Sequence, residues 1–362
     1  FLKLGIKVVV CTAIFLYMFN LLFSFFSQEM ILICILYFVM LSILWLNIAV
    51  LYMMEQYTGI LVSTVQGGVL VWCLMAYLGW PIYLCHMVGI FLANVMAYIW
   101  GNWILTRKSK EVLGIKKLAR MPRYSIIGWA VSPYFIYGIL YFSFLFADRI
   151  IGWSAPLLPS GEPPPFLIWF RTPYEVGLDL ALIPFIFTIA MHEYTIHEFS
   201  TMLITTQKAT SAFATQKNNQ TFKMFYLRHL FLLCLLAAVS IWLSKQLVNY
   251  IEMLPGNPLG NMGSSIITSF VFEWGMVGYA FLAIGLFNSV FFISLSKPAI
   301  VLKTIGLGLS VNVIVGFFLS RTNLYYYSVF GLVCGAVTFA IISTWIAWKI
   351  MNELDYYYYS SY

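Results

Sequence analysis

Charge is what this sequence has least of. Asp, Glu, Lys and Arg make up 9% of the 362 residues, against about a quarter in an ordinary soluble domain. With 62% of the chain hydrophobic and 19% aromatic, no water-surrounded core could hide the apolar surface. The composition specifies an all-α polytopic membrane protein. Cysteine is sparse too. Cys11, Cys34, Cys73, Cys85, Cys234 and Cys334 stand singly in or beside apolar runs. Without CxxC or zinc spacing they read as small apolar residues, not as disulfides or metal ligands.

Catalytic signatures are missing as well. There is no GxSxG, no P-loop and no dinucleotide fingerprint, so no known motif couples this chain to ATP. Histidine is rare. HEYTIHE (192–198) looks like HExxH, but His192 and His197 are five residues apart, and one helical face needs a spacing of four. His86 and His229 read as isolated in apolar surroundings. No Ser-His or His-Asp constellation sits at a membrane face, so neither a cofactor nor an enzyme is expected.

What is present is a series of long apolar runs. A helix needs about 20 apolar residues to cross the hydrocarbon core. Ten segments qualify: 4–27, 29–54, 58–78, 81–104, 124–147, 172–192, 226–246, 264–294, 298–320 and 325–350. The stretch 193–225 is more polar; it reads as a helical extension of the sixth span that turns near Asn218–Asn219. The chain opens FLKLGIK, without Met and without a recognisable signal-peptide cleavage pattern. The expectation is that the numbering begins inside a longer protein.

The few charges give an orientation. TRKSKEVLGIKKLARMPR (106–123) carries seven cations against one acid, Glu111, and positive charge in a short loop marks the cytoplasmic side. Alternating from there, 193–225, Lys297 and the C-terminal tail are inside, and 148–171, 247–263 and 321–324 are outside. Of 20 Lys plus Arg, only Arg149, Arg171, Lys245 and Arg321 then fall at or near the outer side. This explains the net charge of +7 without nucleic acid. Membrane anchoring is the plain reading of the basic loop; a cytoplasmic partner is the sharper one. The loop also divides the chain into a four-span N-terminal lobe (1–105), the linker itself (106–123), a six-span C-terminal lobe (124–351) and a Tyr-rich tail (352–362). No strict sequence repeat relates the lobes.

FRTPYEVGLDLALIPFIF (170–187) carries two acids in an apolar segment. Glu175 and Asp179 are four residues apart, stacked on one helical face. Facing lipid they would be costly. Glu175 lies near the outer end, where water alone would satisfy it. Asp179 lies a turn deeper, where that explanation weakens. Asp148, Arg149 and Arg171 are nearby in the sequence. Two readings stay open: an ion-pair network locking two spans together, or a cavity wall meeting a polar or cationic substrate, or a proton. Glu273 reads as a second deep carboxylate. Asn288 and Asn312 read as buried amides that tie helices together or meet substrate. Pro133 and Pro184 are candidate kinks, and Trp153 and Trp169 candidate interfacial aromatics.

Several short motifs resemble a known family. They are FADRIIGW (146–153), then Tyr174–Glu175 with Ile183–Pro184, then HEYTIHEFS (192–200), the run 281–320, and Leu354, Asp355, Tyr356 and Tyr357 in the tail. Together they resemble PelG-type exopolysaccharide exporters; Tyr-Glu stands here for the family's Tyr-Asp. The likeness covers 146–362 by motif and the first 145 residues by span pattern. It implies the MOP flippase fold, twelve helices in two six-helix lobes around a central cavity, with the ten spans here as helices three to twelve. It implies an inner-membrane exporter of an amino-sugar-rich biofilm polysaccharide. Its partners would be a cytoplasmic glycosyltransferase and a cyclic-di-GMP-responsive membrane subunit. With no ATP motif in the chain, the energy would come from an ion gradient, a partner or the push of polymer synthesis. Asp148, Arg149, Arg171, Tyr174, Glu175, Asp179, Glu273, Asn288 and Asn312 are the substrate-path candidates. A lipid-linked oligosaccharide flippase of this fold would want more cavity cations than Arg149, Arg171 and Lys303. A cation-coupled multidrug exporter would need a buried coupling acid, for which Asp179 or Glu273 would serve. A non-transporting scaffold of a polysaccharide synthase would share the partners without a substrate path.

Overall fold

The computed structural model describes residues 2–23, 27–112, 123–156, 170–209, 215–253 and 265–359. Among the described residues there is helix and no strand. The ten spans are α1 (Leu2–Phe23), α2 (Gln28–Met53), α3 (Tyr57–Leu78), α4 (Ile82–Val112), α5 (Tyr124–Trp153), α6 (Thr172–Ala209), α7 (Thr215–Met253), α8 (Ile266–Ser294), α9 (Pro298–Thr322) and α10 (Val329–Asn352). A 3-10 turn, Tyr325–Ser328, leads into α10, and α11 (Leu354–Tyr359) follows it. Each of the ten is long and apolar enough to cross a bilayer. In hydrocarbon every backbone N–H and C=O must be satisfied within the chain, which is why such segments are helical.

The ends of the helices follow local chemistry. Ser27 caps α2, its Oγ accepting from the Met30 amide at 3.3 Å. Ser265 caps α8 in the same way through the Thr268 amide at 3.1 Å. Each satisfies one donor that a helix start leaves open. Gly79 closes α3 with a φ of +59°, a left-handed geometry that glycine adopts without cost. Pro298 begins α9 at its first turn, where a missing N–H loses nothing. Pro133 and Pro184 lie inside α5 and α6, and both helices continue through them.

The chain forms two compact units, Phe1–Met121 and Pro122–Tyr362. In the first, α4 packs on α2 and α3, and α1 on α2. The helices expose Trp45, Trp72, Phe91 and Tyr98, as expected where the solvent is lipid. Their polar tie is Asn94, whose Nδ2 reaches Met40 O at 2.9 Å and whose Oδ1 accepts from Asn47 Nδ2 at 3.2 Å. α4 runs to Val112, so 106–112 of the basic segment is helix; 113–122 lies outside the described residues, as do the loop residues 157–169, with Trp169, and 254–264.

In the second unit α8 is the hub. It is 67% buried over its most apolar stretch, against 11% for α5, and it packs on α6 and α10. α9 lies between α10 and α5, and α7 lies on α6 and α10. α9 and α10 approach each other backbone to backbone. A Cβ on Gly331 would stand 2.5 Å from Asn312 O and 2.7 Å from Gly316 Cα. Without a hydrophobic drive between helices, such dispersion contact is what membrane association rests on.

The sixth span does extend past the apolar run, with α6 reaching Ala209. The turn expected at Asn218–Asn219 is not there: both residues lie in α7, which starts at Thr215. Asn219 is bound elsewhere, its Nδ2 donating to Asp355 Oδ1 of α11 at 2.7 Å. Beside it Leu354 is 2% exposed. That contact fixes the start of the Tyr-rich tail against α7.

Candidate functional site

The end of α5 and the start of α6 carry a polar cluster built from the two motifs 146–153 and 170–187. On α5, Asp148 and Arg149 are adjacent and both buried. On α6, Tyr174 and Glu175 occupy the first turn and Asp179 the next. The tyrosine hydroxyl donates to Asp148 Oδ2 at 2.8 Å. Arg149 spans both α6 acids, with Nη1 on Glu175 Oε2 and Nη2 on Asp179 Oδ1 at 2.8 Å. Trp153 Nε1 donates to the other Glu175 oxygen at 2.7 Å. So Asp148–Arg149 meets Tyr174–Glu175 residue by residue, although α5 and α6 share few other contacts. Tyr279 of α8 also interacts with Arg149.

Gly152 makes room for this packing, since a Cβ there would meet the Ser328 hydroxyl at 3.0 Å and the Tyr174 ring at 3.7 Å. One buried oxygen of the cluster, Asp148 Oδ1, has no hydrogen-bond partner among the described residues. Three carboxyl groups surround one guanidinium, so the cluster is acidic unless a proton or cation joins it.

The two acids on α6 are not equivalent, and the order is the reverse of the one expected. Glu175, nearer the helix end, is the buried one, with a side chain 7% exposed. Asp179, a turn deeper along the helix, is 64% exposed. Burial follows neighbours and not depth: Glu175 is enclosed by Arg149 and Trp153, while Asp179 meets Arg149 with one oxygen and is otherwise open. An acid facing lipid would be costly, so the open face of Asp179 requires water or a polar ligand.

Arg171 does not join the acids. Its Nη2 donates to Ala155 O at 3.1 Å, and its guanidinium lies 5.0 Å from the Tyr325 ring centre. Burial draws this guanidinium below its ordinary value, partly opposed by Tyr325, but an arginine remains charged. Arg321 plays a similar part, donating to Ser154 Oγ at 2.9 Å. Both hold the 3-10 turn and α9 to the end of α5.

Glu273 is not enclosed. It lies two turns into α8, as Asp179 does into α6, pairs with Lys245 Nζ at 3.1 Å, and both side chains are about half exposed. They line a cleft of about 300 Å³ with Asn249 and Glu252. Asn288 and Asn312 are fully buried and bind other helices. Asn288 Nδ2 reaches Ser343 and Thr344 hydroxyls at 2.9 Å each, and its Oδ1 accepts from Tyr226 at 2.8 Å. Asn312 Nδ2 reaches Phe144 O at 3.2 Å. His229 is not isolated: its Nε2 meets Glu198 Oε2 at 3.1 Å. Trp153, expected to mark the interface, donates to Glu175 and packs on Phe170.

Sequence reasoning missed Trp153 as a partner, and Tyr279, Tyr325 and Ser328 entirely. A signal existed for Trp153 alone, which is one turn after Arg149 on the same face.

No protein-family model matches this sequence, and no curated protein matches it. Among solved structures, the fold is similar to that of a point mutant of the Vibrio cholerae MATE transporter VcmN. The TM-score is 0.64 at 14% identity, over 99% of this chain and 79% of that one. At that identity the likeness shows the fold alone: a helical, multi-span membrane protein folded like that transporter.

Proposed function

We propose that this chain is an exporter of the MOP fold that moves a biofilm exopolysaccharide across the bacterial cytoplasmic membrane, C-terminus inside. A cytoplasmic glycosyltransferase would feed it and a cyclic-di-GMP-responsive membrane subunit would regulate it. One observation carries the reading. The residues on which the resemblance to PelG-type exporters rests, Asp148–Arg149 and Tyr174–Glu175, are bonded to one another, so the motif is a single physical device. The fold likeness to a transporter over 99% of the chain supports membrane transport in general.

The division of labour within the device follows from burial. Glu175, Arg149, Tyr174 and Asp148 set the angle between α5 and α6. Asp179 keeps an open carboxylate face on the same anchor and is the group that meets solute, and it suits an amino sugar bearing positive charge. A second reading has one specific observation behind it: the structural neighbour is a MATE transporter. On that reading the acidic cluster takes up a proton or a metal cation in exchange for a small amphiphilic solute.

The test is secreted polysaccharide from cells carrying Asp179→Asn or Asp179→Ala at matched membrane levels of the protein. Export should fall at least about tenfold with Asp179→Ala. Unchanged polymer would overturn the assignment of Asp179. Unchanged polymer with increased sensitivity to cationic dyes would favour the second reading.

A further inference from the structure

A second feature of the C-terminal unit lies at the end that the charge bias assigns to the cytoplasm. α7, α8 and α10 leave an open groove of about 510 Å³, lined by Leu230, Cys234, Ile341, Thr344, Trp345 and Trp348 among others. Its walls are almost wholly apolar, and Ile341 and Trp345 are more than 60% exposed. At one end stands a cation. Lys223 Nζ lies 3.9 Å from the centre of the Trp348 ring. Lys223 is seven residues before Leu230, two turns along the same face of α7. Lys223 is half-buried, and Lys349, next to Trp348, is exposed.

We infer that this groove binds an anionic phospholipid of the inner leaflet, with a phosphate at Lys223 and an acyl chain along Cys234, Ile341 and Trp345. Three observations point the same way. The groove suits a hydrocarbon chain, being apolar and open to the side. Lys223, over the Trp348 ring, puts positive charge at one end of it, and basic pockets between helices on the cytoplasmic side recognise acidic headgroups. The aromatic at that end holds the ammonium by cation–π attraction without neutralising it, so the charge is still available to an anion. Among the described residues no carboxylate lines the groove. A zwitterionic lipid would satisfy the apolar walls but leave the lysine without a net counter-charge.

Brominated phosphatidylglycerol and brominated phosphatidylcholine, each titrated into the purified full chain in mixed micelles, provide the test through quenching of tryptophan fluorescence. The glycerol lipid should quench at lower concentration. The difference should vanish in the Trp345→Phe, Trp348→Phe double variant, which locates the lipid in the groove. In Lys223→Gln the affinity for the glycerol lipid should fall about fivefold, and Lys223→Arg should restore it. Equal quenching by the two lipids in the wild type would overturn the inference, whatever the variants do. So would a groove shielded by a second copy of the chain, seen as quenching that weakens when protein concentration rises at fixed lipid ratio.

Discussion

Replacing Arg149 with glutamine would ask more of this protein than any other single change at the end of α5. The guanidinium is 9% exposed and holds Glu175, which is 7% exposed, and Asp179, which is 64% exposed. Losing one partner of a buried pair leaves an uncompensated charge and costs about 3–5 kcal/mol. Losing a partner that water already reaches costs about 0–1 kcal/mol. Almost the whole cost of Arg149→Gln therefore belongs to Glu175. Three consequences follow for the thermal unfolding midpoint in detergent. Arg149→Gln should fall by on the order of 10 °C, at a few degrees per kcal/mol. Asp179→Asn alone should shift it by no more than about 3 °C. The double variant Arg149→Gln, Glu175→Gln should recover more than half of the loss, because the stranded charge is gone. Equal losses for Arg149→Gln and Asp179→Asn would refute the reasoning, as would a double variant no better than Arg149→Gln. Either result would mean that exposure does not govern the energetics of this cluster.

Other outcomes can be checked with the same midpoint. Gly331→Ala should cost about 1–3 kcal/mol, because its Cβ meets backbone atoms of α9 that cannot move independently, whereas Gly306→Ala, with nothing within 4 Å, should be neutral. Asn288→Ala should cost about 1–2 kcal/mol, since three interhelical bonds of roughly 0.6 kcal/mol each are lost, and more than Asn312→Ala, which loses one. Lys245→Gln should change stability by less than about 1 kcal/mol, because its pair with Glu273 is open to solvent.

The spans were legible because hydrocarbon imposes a length on every crossing segment, and all ten expected runs are helices. The ends were less so. Asn218 and Asn219 looked like a turn because asparagine favours turns, but Asn219 has a bonding partner in α11 that lies 136 residues away and outweighs local preference. Side-chain environment was the least legible. The Glu175–Asp179 spacing was evident, and so was Arg149 as a nearby cation. Which acid is enclosed depends on how Arg149 and Trp153 of α5 are placed, and no periodicity in 170–187 reports where those side chains lie. Glu273 misled for the converse reason. An acid within an apolar run looks deep, but position two turns into α8, opposite Lys245, keeps it wet. The amides Asn288 and Asn312 were legible because a buried amide in a membrane has to bind another helix.

The contrast between Glu175 and Asp179 bears on how a transport path would be recognised in such a chain. Both are acids, on one helix, one turn apart, on one arginine. Counting charges in the segment, or noting that an acid in hydrocarbon is unusual, does not separate them. What separates them is saturation. Each Glu175 oxygen has a protein donor, Arg149 and Trp153, and the side chain is 7% exposed, so almost none of it is open to a passing solute, and its removal would disturb the α5–α6 joint. Asp179 has one oxygen bound and the rest of the group open. A path for a polar or cationic solute must run past groups with bonding capacity to spare. By that criterion Asn288 is saturated by three partners, and Glu273 shares its one charged bond with solvent. Transport defects from Glu175→Gln and from Asp179→Asn should therefore differ in kind. The first should accompany a lower unfolding midpoint and less protein in the membrane; the second should appear at normal protein levels with the midpoint nearly unchanged.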